Sequence, residues 1–281
     1  MSPYDTLLPG KLLPHNHLPY EALLVAPLIT ADIPFPLIFA FWTMLSGLAI
    51  GVSLGMMDSA VPVTRQVGWV MSMAACSYLP LIRALMLGQN SPLVLMGVCG
   101  AYVALKRNSP GWAGAALVFV ALKPQILPLI LLLVLVQGHW RAVAMFLLFF
   151  TTLTVAAMPV LGVDWPIEYA RMLMGAGEWA NMGGTDPSIM HNWRGFFTDL
   201  LGAQSGLVAP LVIGASLISV GFLAWTWLRS RNRFAGTAEG ESRADTTRWD
   251  LLWALTVLIA LVISPHLHPH DLTVLIFPAW I

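Results

Sequence analysis

The sequence predicts an all-α polytopic membrane protein, and three observations lead to this fold class. Hydrophobic residues make up 58% of the 281 residues and charged residues only 10%, whereas about a quarter of the residues in soluble domains are charged. The apolar residues form long stretches, which are separated by prolines, glycines and short polar segments. The formal net charge is zero, so nucleic acid, which is bound through an excess of Lys and Arg, is not expected as a partner.

The apolar stretches predict about nine membrane segments, several of which are too short to cross a bilayer alone. A spanning helix needs about 20 apolar residues, and fewer where it is broken or buried in protein. We therefore expect a single integral membrane domain over residues 1–281. In chain order its segments are 34–56, 67–87, 92–105, 111–122, 124–136, 142–161, 208–228, 251–263 and 272–281.

Polar or helix-breaking residues set the boundaries of these segments. The second contains Arg83 as its only charged residue, and the third ends at Lys106. Lys123 and Pro124 separate the fourth from the fifth, because proline interrupts the helical hydrogen bonds. The sixth is long and uninterrupted, and the last two flank the polar octad 264–271, SPHLHPHD.

The distribution of Lys and Arg predicts the orientation, since cytoplasmic loops carry the excess of these residues. With the loop 229–249 in the cytoplasm, nine of the 14 Lys and Arg residues lie on that face and five on the outer face. The N-terminal segment 1–33, the loop 163–206 and the octad 264–271 then lie outside. Short broken helices that end at one level are typical of a cavity, so we expect an outer cavity lined by these polar breaks.

Two of the polar breaks allow a structural and a functional interpretation. The first contains His17, Tyr20 and Glu21 and is either an interfacial loop leading into a helix on the membrane surface or a wall of the cavity. The second contains Lys123 and Gln125. Its lysine either extends to the membrane surface, as long cationic side chains do, or faces an anionic group inside the cavity.

Two further breaks contain amides, and one of them also contains an arginine. Residues 88–92, GQNSP, suit the end of one helix and the start of the next. Gln89 and Asn90 alternatively offer hydrogen bonds to sugar hydroxyls. Asn192 and Arg194 lie in the outer loop beside a tryptophan, and arginine suits bidentate phosphate contacts.

The octad 264–271 places three histidines and an aspartate at the edge of an apolar stretch, where polar groups are costly and usually functional. Alternating histidines are compatible with zinc, but the two prolines prevent a regular helix and no cysteine is near, so a metal site is not favoured. A pH-sensitive or phosphate-contacting pair, His266 and His268, is the favoured interpretation, with ordinary interfacial histidines as the alternative. Asp271 is expected to cap the next helix.

The order of five motifs resembles a known family. The motifs are HLPYEALLVAPL at 17–28, GQN at 88–90, KPQ at 123–125, MHNWRG at 190–195 and SPH followed by HD within 264–271. In this order and spacing the chain resembles glycosyltransferase family 87, a polytopic family of polyprenyl-phosphate-mannose-dependent mannosyltransferase type with a GT-C fold. The resemblance extends through almost the whole chain.

The resemblance implies an inverting hexosyltransferase in a bacterial plasma membrane. Such an enzyme takes a hexose, typically mannose, from a polyprenyl-phosphate sugar and passes it to a lipid or glycan acceptor on the outer face, and no cofactor is implied beyond this donor. Basic and histidine side chains are expected to hold the donor phosphate, with amides on the sugar and His17 and Tyr20 in the cavity wall. The donor-binding candidates are Arg83, Gln89, Asn90, Lys123, Gln125, Asn192, Arg194, His266, His268 and Asp271.

The chain departs from the family at its two ends. Family members have an additional first span followed by an acidic general base in the first outer loop, whereas this chain begins after that point and stops within its last helix. The resemblance thus implies that the base precedes residue 1 and that the chain as written lacks activity, with Asp5 and Glu21 as weak candidates for the base.

Two other functions stay open. A transporter or flippase for lipid-linked sugars also suits broken helices with charged residues at membrane depth. An oligosaccharide ligase would normally have a larger outer loop than the one of about 40 residues here.

Overall fold

The computed structural model describes residues 18–61, 67–174, 187–234 and 243–281, and all regular elements within these ranges are helical, as predicted. The α-helices are α1 Pro19–Thr30, α2 Phe35–Ala60, α3 Gly68–Cys76, α4 Leu79–Met86, α5 Ser91–Lys106, α6 Pro110–Val120, α7 Leu127–Val136, α8 Trp140–Leu161, α9 Trp165–Met174, α10 Trp193–Leu201, α11 Val208–Phe234, α12 Arg243–Ile263 and α13 Ile276–Trp280. Two 3-10 helices, Pro187–Ile189 and Pro269–Leu275, precede α10 and α13.

Three helices are long and apolar enough to cross a membrane: α2, α8 and the part Val208–Ser230 of α11. The pair α3 and α4, bent by 52° at a short break, would make a fourth span. The protein is therefore a multi-pass membrane protein, but the predicted nine membrane segments are not supported in the described ranges. The apolar helices α5, α6 and α7 have only 16, 11 and 10 residues, fewer than the roughly 20 that a span needs.

Prolines and glycines explain where the short helices begin and end. A proline stands in the first turn of each helix from α4 to α7, where its missing N–H breaks no helical bond. For this reason the predicted segment 67–87 is the bent pair α3 and α4 rather than one continuous helix. Pro80 cannot bond to the Cys76 carbonyl, so α3 ends at Cys76 and a new helix begins at Leu79. Gly88 follows with φ of 62°, a left-handed conformation that ends α4.

The chain forms two compact units, one made of residues 1–42 and 147–186 and the other of residues 43–146 and 187–281. In the first unit, Trp165 begins α9 and is 2% exposed. Its indole nitrogen donates a hydrogen bond to the Thr154 carbonyl at 3.2 Å. This bond satisfies the polar atom that burial of the ring would otherwise leave unpaired.

Helix α5 is the centre of the second unit, and 13 of its 16 residues are buried. A helix that is apolar on all sides is surrounded either by protein or by lipid, and α5 is surrounded by protein. Gly97 allows α6 to approach closely, because a Cβ at this position would lie 2.8 Å from the Ala116 carbonyl oxygen. With a rise of 1.5 Å per residue, Ser91 and Lys106 at the two ends of α5 are about 22 Å apart.

An ion pair joins three helices at the C-terminal end of α5. Lys106 lies 2.8 Å from the Asp250 carboxylate of α12 and donates a hydrogen bond to the Ala60 carbonyl at the end of α2. The Tyr102 hydroxyl donates to the same carboxylate at 2.7 Å. The C-terminal ends of α2 and α5 therefore meet the first part of α12.

Candidate functional site

Four polar segments meet at the N-terminal end of α5, all of them within the second unit. Lys123, in the break after α6, lies 2.6 Å from Asp271 in the octad. Ser91, at the start of α5, donates a hydrogen bond to Asp271 at 3.2 Å. Asn192, before α10, donates to the Ser264 carbonyl at 2.7 Å. These contacts bring four of the five predicted polar breaks together, whereas no described contact brings the break with Glu21 to them. The membrane face on which they lie stays a prediction.

Lys123 and Asp271 form a buried ion pair. Their residues are 7% and 2% exposed, so each charge has lost most of its hydration and depends on the other. Asp271 also accepts a hydrogen bond from the His268 backbone N–H at 3.0 Å. Burial alone would raise the Asp271 pKa, but the Lys123 ammonium and this hydrogen bond hold the pKa below its ordinary value. Asp271 is therefore charged at neutral pH, and the Lys123 ammonium beside it offsets this charge.

The ion pair decides between two interpretations left open by the sequence. Lys123 does not extend to the membrane surface, because it is buried against a carboxylate. Asp271 caps the following element as expected, although it does so from the third position of the 3-10 helix Pro269–Leu275 rather than the first. The sequence did not predict that Lys123 and Asp271 pair with each other. The only indication was that each is a charged residue in apolar surroundings.

The three histidines of the octad lie close to this ion pair and are neutral at pH 7. Burial lowers the pKa of His270 to about 4. Burial also lowers the pKa of His266, helped by Arg194, and the pKa of His268, opposed in part by Asp271. The rings of His268 and His270 stack with centroids 5.4 Å apart.

His266 has hydrogen-bonding capacity to spare. Its Nδ1 atom is buried and has no hydrogen-bond partner among the described residues. A neutral imidazole carries one donor and one acceptor, and a buried polar atom without a partner costs about 1–3 kcal/mol. A ligand atom that bonded to Nδ1 would remove that cost. Nowhere in the described ranges do three His, Cys, Asp or Glu side chains form a group that could hold a metal ion.

Arg194 is positioned by the capping residue of its own helix. The Asn192 side chain accepts a hydrogen bond from the Gly195 N–H at 2.8 Å and, through its amide, ties the start of α10 to the octad. A Cβ at Gly195 would collide with the Met190 carbonyl, which explains the glycine of the MHNWRG motif. Arg194 is half-exposed and near enough to His266 to lower its pKa.

Arg83 approaches the octad from the other side. It lies on α4, which packs against the 3-10 helix Pro269–Leu275, and its charge lowers the pKa of His268 and His270. Within the described part of the chain, neither Arg83 nor Arg194 forms an ion pair. These two guanidinium groups are therefore the uncompensated positive charges beside the octad.

The candidate residues with amide side chains lie mainly at helix ends and in turns. Asn90 is 1% exposed, occupies the position before the first turn of α5 and directs its amide toward the Leu122 carbonyl at 3.5 Å. Gln89 and Gln125 are half-buried in the same two turns. The predicted helix stop and restart at residues 88–92 is confirmed.

The remaining candidates are not brought to this cluster by any described contact. Glu21 is buried in α1 of the first unit, and Tyr20 belongs to the same helix. Asp5 and His17 lie outside the described residues. The carboxylate of the cluster, Asp271, is already occupied by its ion pair and its hydrogen bonds, so it is not available to accept a proton from a substrate.

Comparison with known proteins identifies one family. A model described as glycosyltransferase family 87 matches residues 19–265. The matched range includes the GQN, KPQ and MHNWRG motifs and ends just before His266. Neither the curated proteins nor the solved structures contain a significant match to the chain.

Proposed function

Because the chain belongs to glycosyltransferase family 87, and is thus a membrane glycosyltransferase, we propose that it transfers a hexose from a polyprenyl-phosphate sugar to a lipid or glycan acceptor. Mannose is the first candidate for the sugar, and the fold is of the GT-C kind. The reaction takes place at the outer face of a bacterial plasma membrane, at the N-terminal end of α5.

The charge balance of the cluster carries this proposal. Lys123 and Asp271 cancel each other and the histidines are neutral, so Arg83 and Arg194 leave a charge of about +2. A polyprenyl-phosphate sugar is a phosphodiester with one negative charge, and the departing polyprenyl phosphate carries about −1.5 to −2. Two guanidinium groups therefore match the leaving group better than the bound donor. Interactions that strengthen as the bond breaks are the ones that accelerate the reaction.

The surroundings of Arg83 suit a donor that arrives from the lipid. On the same short helix Leu79, Met86 and Ile82 are 72%, 73% and 38% exposed. A guanidinium among outward-facing apolar side chains is costly in a membrane unless an anion accompanies it. A phosphate attached to a prenyl chain supplies both the anion and the apolar group for this surface.

The residues of the cluster have distinct parts in the proposed reaction. The acceptor hydroxyl oxygen attacks the anomeric carbon from the face opposite the phosphate, the bond from that carbon to the phosphate oxygen breaks, and the anomeric configuration inverts. Arg83 and Arg194 hold the departing phosphate, and His266 bonds one of its oxygens through Nδ1. The acceptor proton passes to a base other than Asp271, and Glu21 and Asp5 stay candidates for that role.

A transfer assay tests this function. Membranes containing the protein are incubated with radiolabelled polyprenyl-phosphate mannose and lipid or glycan acceptors. We expect labelled product, and a loss of about 10²–10³-fold in kcat when Arg83 or Arg194 becomes glutamine, as for a lost transition-state donor. Arg171→Gln is the matched control, because Arg171 is an exposed arginine of α9 in the other unit.

Three outcomes would count against the proposal. Absence of transfer from well-folded protein with mannosyl, glucosyl and galactosyl donors would contradict the activity, and would favour the flippase if labelled donor instead crossed the bilayer. Use of a polyprenyl diphosphate donor alone would indicate the oligosaccharide ligase. Full activity in the Arg83→Gln and Arg194→Gln variants would show that these arginines do not bind the donor phosphate.

A further inference from the structure

Two pockets of the second unit each combine a tryptophan with arginine. One pocket, of about 410 Å³, is lined by Trp225, Arg229 and Arg248. The other is a groove of about 600 Å³ with Arg107 and Trp112 at one end. Both belong to the second unit, and Arg107 lies about 24 Å along α5 from Ser91.

The same ion pair that joins α5 to α12 places the two pockets at one end. Asp250 of α12 pairs with Lys106 of α5. Arg248 precedes Asp250 by two residues, and Arg107 follows Lys106 directly. Arg107 and Arg248 are thus each within two residues of this ion pair, and Arg248 lines its pocket together with Arg229 and Ser230 at the end of the span Val208–Ser230.

The pocket between α11 and α12 has the features of an anion site at a membrane surface. The Arg229 guanidinium lies 4.6 Å from the centre of the Trp225 ring, a stacking arrangement that holds the charge in place. Arg248 lines the same pocket. Neither arginine forms an ion pair with a carboxylate in the described part of the chain. Trp225 and Leu228 are 50% and 59% exposed, so the two charges border a surface that faces lipid.

The groove between α2, α5 and α6 has the shape of a lipid chain site. Its walls are mostly apolar, from Val52 and Met96 at one end to Arg107 at the other. Met96 and Arg107 are 11 residues apart on one helix, which is about 16 Å, close to the half-thickness of about 15 Å of a bilayer core. Arg107 donates a hydrogen bond to the neutral Ser59 hydroxyl at 3.0 Å, so its charge is not compensated there.

We propose that this end of the protein binds anionic phospholipids of the adjacent leaflet. The phosphate of one lipid bonds Arg229 and Arg248, and a second lipid places an acyl chain in the groove with its phosphate at Arg107. Free phosphate would gain nothing from the exposed apolar side chains around these arginines. The polyprenyl-phosphate donor is proposed to bind at the opposite end of α5, so this lipid site is independent of the transferase activity.

Lipid retention measured by native mass spectrometry tests the proposal. The protein is purified from bilayers of equal parts phosphatidylglycerol and phosphatidylcholine, and the bound lipids are counted. Each arginine near an anionic membrane surface contributes about fivefold in binding. In the double variant Arg229→Gln, Arg248→Gln, the affinity of the first site for phosphatidylglycerol should therefore fall roughly 30-fold, and the number of bound lipids should fall from two to one. Arg107→Gln should lower the affinity of the second site about fivefold, and the control Arg171→Gln should leave both sites unchanged.

Measurements on the unaltered protein keep the test decisive if a variant folds poorly. Retention of phosphatidylglycerol by the wild type should fall as salt is raised and should be unaffected by equimolar inorganic phosphate or polyprenyl phosphate. Equal retention of the two phospholipids, the same loss in the Arg171→Gln control, or displacement by either competitor would overturn the proposal.

Discussion

Replacing Lys123 by methionine removes the cation that faces Asp271 and leaves a buried carboxylate with only neutral hydrogen-bond donors. The two charged groups are 2.6 Å apart, and the residues are 7% and 2% exposed. Removing one partner of a buried ion pair costs about 3–5 kcal/mol, because the other charge stays without compensation. We expect this loss of unfolding free energy for Lys123→Met and a similar loss for Asp271→Asn.

The double variant distinguishes an ion pair from two independent sites. With both charges removed, no uncompensated charge is buried. The asparagine oxygen can still accept the hydrogen bond from the His268 N–H, and its amide NH2 can donate to the Ser91 hydroxyl, which lies beside the other carboxylate oxygen in the unaltered protein. Lys123→Met, Asp271→Asn should therefore be more stable than the sum of the single losses by about 2–3 kcal/mol. The measurement is a double-mutant cycle from reversible unfolding in mixed detergent micelles.

Additive losses, within about 0.5 kcal/mol, would refute the reasoning. So would a Lys123→Met variant of nearly wild-type stability that had lost affinity for the polyprenyl-phosphate donor. That result would mean that the Lys123 charge is directed at the donor phosphate rather than at Asp271. The stability data and the donor affinity thus separate a structural lysine from a substrate-binding one.

Three further predictions concern the same cluster. Asn192→Ala loses the hydrogen bond from the Gly195 N–H and the bond to the Ser264 carbonyl. The free energy of unfolding should therefore fall by about 2 kcal/mol. Asn192→Asp can still accept from the Gly195 N–H and should retain part of that stability. Gly195→Ala should cost about 1–3 kcal/mol, because the new Cβ meets the Met190 carbonyl, and a neutral substitution would contradict the close approach. Lowering the pH should destabilise the protein, because burial lowers the pKa of His270 from 6.5 to about 4. The stability present above pH 6.5 is then lost as the pH falls toward 4, by about 3 kcal/mol, and His270→Asn should flatten this dependence of unfolding free energy on pH.

The helix boundaries were largely predictable because they depend on neighbouring residues. The prediction for α5, residues 92–105, differs from the observed Ser91–Lys106 by one residue at each end. Pro92 and the GQN turn at one end and the basic pair at the other are local signals. The break at Ser77 and Tyr78 was missed, although Pro80 was its signal, because the apolar run continues through it and hydropathy alone treats it as one span.

The partners of the site residues were not predictable. Lys123 and Asp271 are 148 positions apart in the chain, and nothing in the residues around either one identifies the other. The sequence assigned Lys123 to the donor phosphate with the same weight as Arg83 and Arg194. The packing of the 3-10 helix Pro269–Leu275 against α4 and α5 is what gives the lysine a carboxylate and leaves the two arginines without one.

The sequence by itself determined that this protein lies in a membrane, where most of its helices end and to which family it belongs. Hydropathy, proline geometry and motif order can all be read directly along the chain. Only the tertiary structure decided which charges of the octad region cancel and which stay uncompensated. The free energy of a buried charge depends on the group that faces it across the helix packing. That group comes from a distant part of the chain, so its identity is a property of the fold.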